Sequence, residues 1–278
     1  MKEFLGVGIA GNFADHLEQA GEADGFKNIK SDEEGAPKGI FPFHVPNHPR
    51  LKNYCFNNHE LVLPENYEDK NIQAEPEIGL ECEIIYEDNL VKSIVPKFFM
   101  AFNDASVRKD PTATKISEKK NFSAGSKALG NKIAIDKFSA GGICDNYSIV
   151  SFVQFDGELH LYGKCSPLTT YSYFYEQLLD WVKRKFNTQK DEFALEDFRE
   201  ILAIGKYPKN LILAIGATCY TEIGEKRFLR EGDEVCIVVF NHNQFTLEQI
   251  QSLVKSQEQH NHGDNISMIR QKVVKAKL

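Results

Sequence analysis

The sequence predicts an α+β, β-rich fold with a few peripheral helices, and three observations carry that prediction. Short apolar or alternating segments recur along the chain, at residues 4–10, 79–86, 98–104, 147–153, 158–162, 211–218 and 228–239. Two of them, Tyr147–Val153 and Glu158–Tyr162, flank Phe155-Asp-Gly157, the turn chemistry of a tight hairpin. Only one stretch carries a strong helical stripe. Phe174, Leu178, Val182 and Phe186 recur at four-residue steps with Trp181 alongside, which predicts a core-packed helix over about Thr170–Phe186.

Taken in order, Phe4–Ala10 is a short apolar strand that ends at the turn signal Gly11-Asn12. Asp15-His-Leu-Glu18 then forms a D-x-x-E capping box, so a short helix starts there with His16 in its first turn. The positive end of a helix disfavours an imidazolium, and a neutral histidine at such a junction is a candidate general base. A surface histidine beside a cap is the competing reading.

Residues 21–75 are loop-rich, and Ile40-Phe-Pro-Phe-His-Val-Pro46, bounded by prolines, reads as an extended segment at a sheet edge. Residues 109–128 are a polar, lysine-rich loop that includes Lys115, Lys119, Lys120 and Lys127, after which Lys132–Ile135 resumes a strand. A second helix is predicted over about Leu195–Ala203. Leu211–Thr218 is a buried strand ending in Gly-Ala-Thr, a pattern that brings N–H groups and a hydroxyl to a cleft mouth. Phe245-Thr-Leu-Glu-Gln-Ile250 shows a Thr…Gln capping box with a Phe245/Ile250 staple. Beyond about Gln257 the chain reads as polar linker, with His260-Asn-His262 and a basic, frayed end at Arg270–Leu278. The predicted organisation is a single domain over 1–245 and a C-terminal helix with a polar tail over 246–278.

Chemistry concentrates in Gly79-Leu-Glu-Cys-Glu-Ile-Ile-Tyr86 and Phe98-Phe-Met-Ala-Phe-Asn-Asp-Ala-Ser-Val-Arg108. Glu81 and Glu83 are two apart in a β-type segment, so both carboxylates share one face. Asp104 lies where an apolar strand surfaces. Three carboxylates converging from two strands repel one another unless a cation sits between them, and all-oxygen ligands suit Mg²⁺ or Mn²⁺. The competing reading is that Glu81 and Glu83 line the wet face of an antiparallel strand.

Composition excludes several classes. The chain has 278 residues, 42% of them hydrophobic, with no apolar run long enough to span a membrane. The net charge is −7 and no basic stripe is present, which argues against nucleic acid. The six cysteines form no CxxC pair and read as reduced core residues. The opening residues lack a signal peptide's pattern, so a cytoplasmic location is expected.

Four stretches, in order, resemble the fumarylacetoacetate hydrolase family over about residues 4–240. Val7-Gly-Ile-Ala-Gly-Asn-Phe-Ala-Asp-His16 is similar to its G-x-N-Y-x-x-H, Leu80-Glu-Cys-Glu83 to its E-x-E, and Phe102-Asn-Asp-Ala-Ser-Val-Arg108 to its N-D-x-(S/T)-x-R. Leu213–Thr218 with Phe228–Asp233 is similar to its G-T strand end and G-D turn. The resemblance implies a mixed β-sandwich roll, usually a homodimer, using Mg²⁺ or Mn²⁺ on a small anionic keto acid such as an acylpyruvate or oxaloacetate. It implies Glu81, Glu83 and Asp104 as metal ligands, His16 as the base and Thr218 at the substrate carboxylate. Arg108 falls on the motif arginine and joins the substrate-binding candidates, and a lysine, Lys120 first and Lys127 second, would offset oxyanion charge. Three departures stand out. Gln19 replaces the glutamate that commonly assists the histidine, with Glu18 pointing away; the lysine pattern is blurred; and the Glu83–Asp104 connection is short, with Phe43-His-Val-Pro46 in place of F-L-K-P. The expected activity is C–C bond hydrolysis or decarboxylation. A member that binds keto acids without turnover, and a metal-dependent isomerase, are the alternatives.

Overall fold

The computed structural model describes residues 3–13, 16–19, 35–53, 55–256 and 263–276, without the side chains of residues 16 and 17. In chain order the strands are β1 (Phe4–Ala10), β2 (Gly39–His44), β3 (Glu60–Leu63), β4 (Ile72–Gln73), β5 (Pro76–Glu87), β6 (Leu90–Asp104), β7 (Ser106–Val107), β8 (Lys127–Leu129), β9 (Ile133–Ala134), β10 (Tyr147–Phe155), β11 (Glu158–Pro167), β12 (Asn210–Ala214), β13 (Glu234–Asn241) and β14 (Ile266–Lys275). The helices are α1 (His16–Gln19), α2 (Ile116–Lys120), α3 (Tyr175–Thr188), α4 (Phe198–Ile204), α5 (Glu222–Lys226) and α6 (Leu247–Ser256).

Two mixed sheets face each other. One runs β2-β1-β12-β5-β6-β8 with β9 also on β6; the other runs β11-β10-β13-β14-β3. The β1–β12 and β14–β3 pairs are parallel and the rest antiparallel. Period-two alternation sends Ile78, Leu80, Cys82 and Ile84 of β5 into the shared core, against Ile149 and Val153 of β10 and Val235, Ile237 and Val239 of β13. The opposite face of β5 carries Glu77, Gly79, Glu81 and Glu83. There an aromatic cluster of Phe4, Phe43, Phe56 and Phe102 covers the first sheet. Gly6 makes room for it and Gly8 for the neighbouring Phe41, since a Cβ at either would fall 2.2 Å from the ring of Phe43 or Phe41 respectively.

Local expectations meet their structures in instructive ways. Asp156 and Gly157 have φ of 50° and 80°, the paired positive values of a two-residue type I′ hairpin. At α6 the N–H of Thr246 donates to Gln249 (2.8 Å) and that of Gln249 to the Thr246 hydroxyl (3.3 Å), completing the capping box. β2 is an edge strand, which accommodates its proline, Pro42. The α3 stripe is buried through Leu178, Trp181, Val182 and Phe186, but the helix begins at Tyr175, after a 3₁₀ turn at Leu168–Thr170. The Asn12 side chain accepts from Tyr173 N–H (2.9 Å) and donates to its carbonyl (3.0 Å), which holds that segment extended. α4 starts at Phe198, where Asp197 caps the N–H groups of Arg199 and Glu200. All six cysteines are free, though Cys165 is exposed rather than in the core. Among the described residues no helix is long and apolar enough to cross a membrane.

The polar tail is a correction. Residues 266–275 form β14, an interior strand of the second sheet, paired with β13 on one side and β3 on the other. Ile269 and Val273 point into the shared core and Ile266 packs on the opposite face with Ile250 and Val254 of α6, and the nearby Arg270, Lys272 and Lys275 disguise these buried positions. His260 and His262 lie outside the described residues.

Candidate active site

Because β5 and β6 are antiparallel with Pro76 opposite Asn103, the start of one lies beside the end of the other. That register brings together Glu75, Glu77 and Asp104, with ligand oxygens within 4.8 Å of one another. The three residues are buried. Asp104 N–H donates to the Glu75 carbonyl (3.1 Å), tying the two strand ends.

Three buried cations answer the three acids. Arg108 Nη1 lies 2.8 Å from Glu75 Oε1, Lys120 Nζ 2.6 Å from Glu75 Oε2 and 2.7 Å from Asp104 Oδ2, and Lys127 Nζ 2.8 Å from Asp104 Oδ1. The ammoniums of Lys120 and Lys127 also lie over the rings of Phe41 and Phe43, at 5.4 and 5.9 Å. Burial opposes the Lys120 charge, but Asp104, Glu75 and Glu77 outweigh it and hold the ammonium above the ordinary lysine range. Glu77 goes the other way: burial first, then Asp104 and Glu75, push its carboxyl well above the usual range against Lys120 and the Gly216 N–H. Gly216 donates that bond at 2.9 Å, and its φ of 113° and close approach to Asn12 require a glycine.

A second layer of hydrogen bonds fixes these groups. Asn103 accepts from the Glu75 N–H (3.1 Å) and donates to Gln271 (2.7 Å) on β14. Gln271 in turn donates to the carbonyls of Asn57 and Gly125, so the C-terminal strand braces the site. α2, which delivers Lys120, arises where the sequence reads as loop. The Glu118 carboxylate caps it, accepting from the N–H groups of Thr114 and Lys115.

The predicted residues fall as follows. Glu81 and Glu83 do share the face of Glu77, but they lie four and six residues further along β5, about 13 and 20 Å at strand rise, at its wet end. Glu81 pairs with Lys132, and Glu83 with Lys97 at 3.6 Å with both side chains about half exposed. The structure therefore does not bring them to Asp104, and the carboxylate pair beside it is Glu75-Pro-Glu77. The short Glu83–Asp104 connection was the signal for this, since moving the pair back six residues lengthens it. Asp104, Arg108, Lys120 and Lys127 do come together. Arg108 is fully engaged within the protein, with Nε on Gln73 (2.6 Å) and Nη2 on the Tyr220 hydroxyl (3.0 Å), so it holds Glu75 in place. Thr218 packs on the backbone between Glu75 and Glu77, where its N–H and hydroxyl both donate to the Pro76 carbonyl (3.0 and 3.2 Å). His16 opens α1, while its side chain lies outside the described residues. Gln19 pairs with the backbone of Tyr220, accepting from its N–H at 2.9 Å and donating to its carbonyl at 3.4 Å.

Next to α2, both carboxylate oxygens of Glu196 are shut off from water, and burial pushes this carboxyl up to about 7. A folded-state value above the unfolded one means stability is full below about pH 4.5 and falls as pH rises through about 7. Glu196→Gln is expected to raise stability by about 1–3 kcal/mol at pH 8 and by little at pH 4.5. Thermal melts at the two pH values check this; equal gains at both would refute it.

The donor set fits Mg²⁺ or Mn²⁺: three carboxylates, all oxygen, converging from adjacent strands. The architecture is the β-rich roll of the fumarylacetoacetate hydrolase type. The chain belongs to a family described as a family of unknown function (DUF5718), whose profile matches residues 22–273. No curated protein matches it. Among solved structures it is similar to Cg1458 with inhibitor, at 19% identity and a TM-score of 0.55 over 99% of this chain and 78% of that one. It is also similar to 5-carboxymethyl-2-hydroxymuconate delta-isomerase from Mycobacterium smegmatis (15%, 0.51, 99% and 80%). A third likeness is to the apo form of 2-keto-3-deoxy-D-arabinonate dehydratase (13%, 0.50, 100% and 75%).

Proposed function

We propose that this chain is a divalent-metal-dependent enzyme that cleaves a C–C bond in a small β-dicarbonyl or α-keto acid of the acylpyruvate or oxaloacetate kind. The observation that supports it best is the buried Glu75–Glu77–Asp104 cluster ringed by Arg108, Lys120 and Lys127, in a fold of this type. Glu75, Glu77 and Asp104 would hold Mg²⁺ or Mn²⁺, which when bound supplies Lewis-acid polarisation of the substrate oxygens and stabilises enolate charge. Lys120 and Lys127 supply positive charge for an anionic substrate and its oxyanion. Thr218 is the candidate contact for the substrate carboxylate, and Arg108 positions Glu75. His16 is the candidate base for water. Gln19, held on the Tyr220 backbone, orients α1 and carries no charge to share with the histidine. A cytoplasmic homodimer belongs to the same reading, and six free cysteines accord with a reducing compartment.

Incubation with acylpyruvates and oxaloacetate, with and without EDTA, is expected to show metal-dependent loss of at least one. His16→Ala is expected to remove that activity and leave Mn²⁺ binding intact. No substrate loss across the panel sinks the hydrolase reading. The neutral Gln19 favours a second one, a keto-acid binder without turnover, which predicts tight oxalate binding and no product. Because similar folds include a dehydratase and an isomerase, the panel also follows water loss and isomer interconversion.

A further inference from the structure

The three cations around the acid cluster are not equivalent. Arg108 is anchored outside it by Gln73 and Tyr220. Lys127 is anchored by the carbonyls of Lys120 (2.5 Å) and Ser126 (3.3 Å) as well as by Asp104. Lys120 differs. Its ammonium contacts Glu75 Oε2 at 2.6 Å, Asp104 Oδ2 at 2.7 Å and the Asp104 carbonyl at 3.2 Å, so every hydrogen-bonding partner belongs to the acids themselves. It bridges two of the three carboxylates, where an ion shared by them would have to sit.

We infer that the Lys120 ammonium is an internal occupant of the cation position, and that it and a divalent ion exclude one another. This rests on the metal reading given above. With all three carboxylates ionised, as a divalent ion held among them requires, three acids and three cations balance. A divalent ion added on top would leave two uncompensated positive charges in a buried site, with an ammonium a few ångströms from the ion. If Lys120 leaves as the ion arrives, the remaining cluster carries one net positive charge, matched to the single negative charge of a keto acid. The exchange therefore converts a self-paired site into an anion-binding one, and it frees the ammonium for the substrate. Lys120 sits at the last position of the short helix α2, so its side chain can swing without unwinding a longer element.

Mn²⁺ alone is the probe, with bound and free ion separated by electron paramagnetic resonance. Lys120→Met is expected to bind Mn²⁺ at least about tenfold more tightly than the parent. Lys127→Met should tighten binding less, because Lys127 does not bridge the carboxylates. In the parent protein, acylation of Lys120 by an amine reagent should rise several-fold with Mn²⁺ while exposed Lys92 stays constant, and this reading decides the matter if a variant does not fold. Unchanged or weaker binding by Lys120→Met, equal tightening in both variants, or constant Lys120 labelling while Mn²⁺ binds would each overturn the exchange and leave the metal reading standing. Absence of Mn²⁺ binding in the parent and both variants would overturn the two together.

Discussion

Asp104→Asn is expected to destabilise the protein by about 3–5 kcal/mol, because breaking a buried ion pair from one side leaves uncompensated charge behind. Here two ammoniums are affected, since Lys120 and Lys127 each rest on one oxygen of that carboxylate, both are almost wholly excluded from water, and only Lys120 keeps a second carboxylate, Glu75. Asparagine keeps the shape and one acceptor but none of the charge. At roughly 2 °C per kcal/mol for a chain of this size, the midpoint should fall by about 6–10 °C. Mn²⁺ should no longer raise it. Glu81→Gln and Glu83→Gln serve as the contrast, since their partners Lys132 and Lys97 are half exposed and such surface pairs contribute about 0–1 kcal/mol. Thermal melts with and without Mn²⁺ check all three. Were the two β5 variants to cost as much as Asp104→Asn and to abolish the metal response, the site would lie at the other end of that strand.

Ending the chain after residue 262 is expected to abolish folding. The deletion removes β14 from between β13 and β3, and with it three fully buried apolar side chains, Ile266, Ile269 and Val273. At about 1.5–3 kcal/mol each, their burial is worth roughly 5–9 kcal/mol, comparable with the whole net stability of a typical domain. The deletion also takes Gln271 from Asn103, Asn57 and Gly125, leaving buried polar groups unpaired behind the site. Circular dichroism and urea titration of the shortened chain give the result. A cooperative transition near that of the parent would show that β14 is an appendage after all.

Local patterns were readable where the residues that make a structure are neighbours in the chain. The Asp156-Gly157 hairpin, the Thr246/Gln249 cap and the α3 stripe all follow from spacing alone. Asp104 followed from its place at the end of an apolar strand, and Arg108 came from the resemblance to the family motif. Alternation likewise placed the β5 carboxylates on one face, and the resemblance of ordered motifs pointed to the roll.

Which carboxylates on that face meet Asp104 is not a local property. Glu77, Gly79, Glu81 and Glu83 have the same parity, and only the pairing of Pro76 with Asn103 decides that Glu77 is at the buried end. For the same reason β14 was invisible. Its lysines and arginine mask the pattern, while Ile269 and Val273 on one face and Ile266 on the other gain their meaning only from what packs against each face. The balance of charge was the most distant of all, since Glu75, Asp104, Arg108, Lys120 and Lys127 come from separate elements. Residue type and spacing determined by themselves that this chain carries β-rich structure and acidic chemistry. Register and burial decided which acids converge and that three cations attend them, because electrostatic pairing depends on distance in space and on exclusion of water, neither of which is written along the chain.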